Sequence, residues 1–150
     1  MVITENFLTP DLFNKLIVYA GKIWHSNQNV FKTNHHWMTG IIKDSNIILA
    51  HDIPTNMDIY YELKDSLLRI DNHTHIKELM LYYYSPGCHI PWHDDSHCDG
   101  AATIYLNDDW DRDWGGVFLY DEGEGIRGLV PKKNMLAYQP GGIEHSVSVL

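Results

Sequence analysis

The sequence predicts a mainly β domain with flanking helices, an α+β arrangement in which the sheet forms a sandwich or barrel. Two observations carry this. From residue 78 onward, short aromatic and apolar runs alternate with Gly, Pro, Asn and Asp clusters, the pattern of a multistranded β core. Before residue 78, apolar residues recur three and four positions apart, the period of amphipathic helices. The chain of 150 residues is read as one domain over 1–150, helical over about 1–77 and β over about 78–150.

The elements follow in order. Thr9, Pro10 and Asp11 start a helix, with a threonine cap and proline in the first turn. Leu12, Phe13, Leu16, Ile17 and Ala20 form its apolar stripe, and Gly21 is placed near its end. Gly40 and Pro54 break the mixed stretch over 22–55, with a short buried strand at Ile47 to Ala50. A second helix fits Met57 to Ile70, with Ile59, Tyr60, Leu63, Leu67 and Ile70 on one face and Asp71 and Asn72 at its end. Then the period shortens. Leu79 to Tyr84 reads as a strand stopped by Ser85, Pro86 and Gly87. Further strands are expected at Ala101 to Asn107, Gly116 to Tyr120, Ile126 to Val130, Met135 to Gln139 and Glu144 to Leu150. Pro140, Gly141 and Gly142 make the turn before the last of them.

Composition narrows the function. Hydrophobic residues make up 44% and charged residues 21%, which is globular rather than disordered. Eleven Lys and Arg stand against 20 Asp and Glu, a net charge of -9, which argues against nucleic-acid partners. No signal peptide or membrane-length apolar run is seen, so a soluble, cytoplasmic protein with no membrane partner is expected. Two cysteines, Cys88 and Cys98, are too few for a disulfide scaffold. Ten histidines invite a search for metal, although His35, His36, His73 and His75 lie in polar surroundings that suit solvated side chains.

The candidate chemistry centres on His93 and Asp95. In an extended strand, residues two apart point to the same side, so both side chains can reach one ion while Asp94 points away. His145, after a Gly-Gly turn, is the candidate third ligand. Two imidazoles and a carboxylate leave three coordination positions open, which suits Fe(II) oxygenases.

These motifs resemble the prolyl 4-hydroxylase-like branch of the 2-oxoglutarate/Fe(II)-dependent oxygenases. Tyr84 to Gly87 leading into Trp92, His93 and Asp95 looks like that family's approach to its His-x-Asp; Ala101 to Asn107 looks like its next strand. Trp114 to Leu119 looks like its Gly-Gly step, and Pro131 to Tyr138 followed by His145 to Val149 like the approach to its distal histidine. Asn6, Phe7, Leu8 and the first helix fit its usual start. The resemblance implies a double-stranded β-helix, a cupin-like jelly roll, with Fe(II) held by His93, Asp95 and His145. It implies that Tyr84 donates to the far carboxylate of 2-oxoglutarate. It implies a dioxygenase reaction with O2, supported by ascorbate, that hydroxylates an unactivated C–H bond of a prolyl or other peptidyl residue, or of a small molecule. Tyr82, Tyr105 and Trp92 can form apolar walls, or be plain core.

The sequence departs from the family at one point. The family's basic anchor for the far carboxylate follows the distal histidine by about ten residues, on a last core strand that does not appear before Leu150. Truncation, substitution by Arg127, or poor use of 2-oxoglutarate each account for this. A missing strand would leave a sheet edge open to an edge-to-edge homodimer. Two rivals remain: a zinc site drawn from Cys88, His89, His93, His97 and Cys98, and a non-catalytic β-barrel binding module. The substrate is expected to be set by residues 25–56 and 108–114; the acidic run Asp108, Asp109, Asp111 and Asp113 with Trp110 and Trp114 is a candidate contact for a basic peptide.

Overall fold

A computed structural model describes residues 1–26, 31, 48–70 and 75–150. The positions of Gly40, His35, His36, Ile47, Asp71, Asn72 and His73 lie outside the described residues, as does most of the 25–56 stretch. The elements are β1 (Val2–Thr4), α1 (Pro10–Trp24), β2 (Ile48–Asp52), α2 (Asp58–Leu67), β3 (Met80–Tyr84), β4 (Ile90–His93) and β5 (Gly100–Ile104). A 3₁₀ turn (Arg112–Trp114), β6 (Phe118–Asp121), β7 (Ile126–Leu129), β8 (Leu136–Pro140) and β9 (Glu144–Val147) follow. The fold is mainly β, with two helices and antiparallel sheets. The chain forms two compact units, whose described parts are Met1–Phe7, Ile48 and Tyr84–Leu150 in one, and 8–26, 31, 49–70 and 75–83 in the other.

The helical unit contains α1 and α2. Thr9 caps α1, its Oγ1 accepting from the Leu12 N–H at 3.4 Å, and Pro10 occupies the first turn. The helix ends at Trp24, so Gly21 lies in its last turn, near the end as expected from sequence. No tertiary neighbour lies within 4 Å of a Cβ at Gly21, so its backbone entropy cost is not offset by any close approach. Leu12, Phe13, Leu16 and Ala20 are buried on one face of α1, and Ile59, Tyr60 and Leu63 on one face of α2. Each large side chain of this kind contributes roughly 1.5–3 kcal/mol by leaving water. An exposed Lys15–Glu62 ion pair joins the two helices at 2.9 Å. α2 ends at Leu67, three residues before the end the apolar period suggested.

The β unit holds two sheets. A three-stranded sheet runs β1-β8-β5 and a four-stranded sheet runs β4-β9-β6-β7, all pairs antiparallel. β8 is the centre of the first sheet. Met135 to Gln139 is buried throughout, as a strand covered on both faces must be. β6 instead alternates, with Phe118 and Tyr120 buried between half-buried neighbours. The Gly115-Gly116 step owes its glycines to close packing: a Cβ at Gly115, where φ is +78°, would stand 1.8 Å from the Val149 carbonyl oxygen. One strand was not anticipated: β1 has only three residues.

Candidate metal centre

β4 and β9 pair with His93 directly opposite His145. Directly opposed residues share a face, so the pairing itself brings the two imidazoles together. Their ring centroids are 4.1 Å apart at 54°. Asp95 arrives by another route than strand alternation. β4 stops at His93, and Asp95 has a left-handed backbone, φ +47°. The expectation of one extended His-x-Asp strand is corrected here: a turn, not the pleat, aims the carboxylate. Asp94 stabilises that turn by accepting from the Ser96 N–H at 3.1 Å, and the Cys98 N–H bonds the Asp95 carbonyl at 2.9 Å.

The turn between β8 and β9 holds this loop in place. Gly141 N–H donates to the Asp99 carbonyl at 2.9 Å and Gly142 N–H to the Asp94 carbonyl at 2.8 Å. The backbones approach so closely that a Cβ at Gly141 would fall 2.0 Å from the Cys98 carbonyl oxygen. The same turn leads into His145, so one contact positions two of the three candidate ligands.

The result is a tight cluster. Asp95 Oδ2 lies 3.4 Å from His145 Nε2, and Asp95 Oδ1 lies 3.8 Å from His93 Nε2. One ligand atom from each residue lies within 4.8 Å of the others, and this is the single such group of three among the described residues. Each Nδ1 is 2.8 Å from a carbonyl oxygen two residues earlier, Pro91 for His93 and Ile143 for His145. Donation by Nδ1–H to those carbonyls leaves both Nε2 lone pairs facing the cluster, the tautomer a metal ligand needs. Burial pushes the His93 imidazole below its ordinary pKa, favouring the neutral form. Hydrogen bonding with His145 holds the Asp95 carboxyl below the usual carboxylate range, against the opposing effect of burial. Two imidazoles beside a carboxylate are the donor set of a 2-His-1-carboxylate centre, and these residues fit Fe(II).

The surrounding residues divide into those expected and those missed. Phe118 stacks on His145, centroids 5.4 Å apart at 25°. Tyr120 stands opposite both His145 on β9 and Arg127 on β7, so His93, His145, Tyr120 and Arg127 form one row across the sheet. Tyr120 is 8% exposed, and its hydroxyl has no hydrogen-bond partner among the described residues. Gln139, on the inner strand β8, is buried with its amide 2.7 Å from His145 Nε2. Sequence reasoning passed over all three. Only the alternation of Phe118 and Tyr120, read together with the position of His145, carried a signal for two of them.

Tyr84 lies at the exposed end of β3. Tyr105 continues β5, its N–H bonded to the Met135 carbonyl at 3.0 Å, and burial pushes its phenol up. Tyr82 belongs to the helical unit and donates to Met80 Sδ at 3.1 Å. Arg127 is half exposed on the edge strand β7 and paired with Glu124 and Glu122. Cys88 is buried and contacts Ser85 Oγ at 3.3 Å, and neither cysteine joins the metal-sized cluster.

No protein-family model and no curated protein matches the sequence. Solved structures do match the fold. A Pseudomonas putida prolyl-4-hydroxylase superposes with a TM-score of 0.77 over 99% of this chain and 84% of its own, at 17% identity. The fold is that of the prolyl 4-hydroxylases. A Trichoplax adhaerens prolyl hydroxylase, solved with a peptide of the hypoxia inducible factor oxygen degradation domain, superposes at 0.81 over 99% of this chain and 76% of its own, at 15% identity. The prolyl-hydroxylase-like fold and the His-Asp-His cluster were thus reached by separate observations. No helix among the described residues is long and apolar enough to cross a membrane.

Proposed function

We propose that the chain is an Fe(II)- and 2-oxoglutarate-dependent dioxygenase that hydroxylates an unactivated C–H bond of a prolyl or other peptidyl residue, on a double-stranded β-helix core within one domain over 1–150. The observation that carries this is the convergence of His93, Asp95 and His145 on one point in a prolyl-hydroxylase-like fold. Iron, when bound, supplies O2 activation coupled to decarboxylation of the oxo acid.

The chain's own residues do the rest. His93, Asp95 and His145 would hold the metal, each through one ligand atom. The carbonyls of Pro91 and Ile143 fix the two imidazoles, and Phe118 keeps His145 from rotating. Tyr84 serves as hydroxyl donor to the co-substrate's far carboxylate, and Tyr105 as a wall. Arg127 is the candidate cationic anchor. It stands two strands from His145, about 10 Å at ordinary strand spacing, and would act by exchanging Glu124 for the co-substrate carboxylate.

For the substrate, the 3₁₀ turn presents Trp114 beside Trp110, which is fixed by its indole N–H donating to the Gly115 carbonyl at 3.0 Å. These rings and the surrounding aspartates suit a basic peptide. Self-association through a sheet edge is a further part of the reading; a monomer by light scattering at micromolar concentration refutes it.

The test is succinate formation from 2-oxoglutarate with Fe(II), O2 and ascorbate, screened with peptides and amino acids. Wild type is expected to turn over and His145→Ala to be silent. Wild type that binds Fe(II) but forms no succinate refutes the oxygenase assignment and leaves a binding module.

A further inference from the structure

Gln139 is the unexplained residue of the site. It lies on β8, in the opposite sheet from His93 and His145, and is 5% exposed. Glutamine is rarely buried so deeply without a full set of partners, because each amide end dragged out of water needs a replacement hydrogen bond. Here one end of the amide is used and the other is not. His145 Nδ1 faces the Ile143 carbonyl, which can only accept, so Nε2 is the ring's acceptor, and the amide group 2.7 Å from it is the –NH2. The amide oxygen has no partner among the described residues.

The –NH2 group therefore satisfies the same lone pair that would bind the metal. A cation on His145 Nε2 takes that acceptor away and leaves a buried donor beside the open coordination positions. A neutral amide has no reason to stay there unless an acceptor replaces the one it loses. An anionic oxygen bound to the metal is such an acceptor, and a hydrogen bond to a charged oxygen is stronger than the one given up. Ligation by the amide oxygen itself is the less fitting alternative: a fourth protein ligand would leave two positions, too few for a chelating oxo acid and O2 together.

We propose that Gln139 donates its side-chain amide to a carboxylate oxygen of the metal-chelating co-substrate, so that it selects for a bound anion rather than for the metal. The inference rests on the metal-centre reading above and deepens it.

The experiment measures three dissociation constants for wild type, Gln139→Met and Gln139→Glu, with melting temperatures to confirm folding. Mn(II) is titrated first. Oxalate and 2-oxoglutarate are then each titrated into Mn(II)-loaded protein. Gln139→Met, close in volume, is expected to keep Mn(II) affinity within about threefold and to weaken both anions about tenfold, the loss of one charge-assisted hydrogen bond. Gln139→Glu replaces the donor with a second negative charge; it is expected to tighten Mn(II) and weaken the anions by at least about a hundredfold. If Gln139→Met weakens Mn(II) tenfold and spares the anions, Gln139 is a metal ligand and the proposal is wrong. Unchanged anion affinity in both variants also overturns it. Wild type that binds oxalate but not 2-oxoglutarate refutes the co-substrate assignment alone, since the role of Gln139 is then read from oxalate. Wild type that binds no Mn(II) refutes both.

Discussion

Replacing Gly141 with alanine probes the contact on which the metal centre depends. The added Cβ would lie 2.0 Å from the Cys98 carbonyl oxygen, 3.2 Å from the Cys98 carbonyl carbon and 3.3 Å from the Asp95 carbonyl oxygen. All three are backbone atoms, so no side chain can rotate away. Relief requires the β8–β9 turn and the 94–99 loop to part by about 1 Å, and overpacking of that kind costs about 1–3 kcal/mol. In a domain of this size that corresponds to a melting temperature lower by roughly 3–10 °C. The hydrogen bonds from Gly141 to Asp99 and from Gly142 to Asp94 cross the same gap and would lengthen with it. The separation moves Asp95 relative to His145, now 3.4 Å apart. Loss of ligand support on this scale lowers metal affinity about 10- to 100-fold. The assay is thermal melting of the metal-free chain, with Mn(II) titration in parallel. Gly142→Ala is the control: its φ is +90°, but nothing lies within 4 Å of the added Cβ, so it carries backbone strain of about 1 kcal/mol without a clash. Its metal affinity should stay within about threefold of wild type. If Gly141→Ala melts and binds metal as wild type does, the docking of that turn does not position the centre.

Other outcomes follow from the same structure. Gly21→Ala lies in the last turn of α1 with open space around the added Cβ and should raise stability by about 0.5 kcal/mol, read from denaturant midpoints. Thr9→Ala removes a cap whose hydrogen bond is 3.4 Å long, so the loss should fall near the low end of the usual range, about 0.5 kcal/mol, by the same measurement. His145→Ala should abolish detectable Mn(II) binding while leaving circular dichroism unchanged; stoichiometric Zn(II) retained by this variant would favour a cysteine-based site instead.

Much of this molecule was legible from its residues alone. The Thr9-Pro10 start, the apolar stripe of α1 and the alternation of β6 are local, set by capping chemistry and by the 3.6- and 2-residue periods, so position in the chain was enough to read them. The likeness to prolyl hydroxylases was also carried by ordered motifs, and the fold bears it out. Local signals failed where distant backbone intervened. His93 and Asp95 do converge with His145, but not by the pleat: alternation would require a strand through Asp95, and the chain turns left-handed there instead. What brings the two histidines face to face is cross-strand register, and what brings Asp95 to them is the approach of Gly141 to Cys98. Both are contacts between segments more than 40 residues apart. Gln139 could not be found from sequence for the same reason, since its meaning lies in the 2.7 Å between its amide and a histidine on another sheet. The sequence determined which side chains are chemically able to hold a metal; only tertiary packing decided that they meet, and which uncharged neighbour they meet beside.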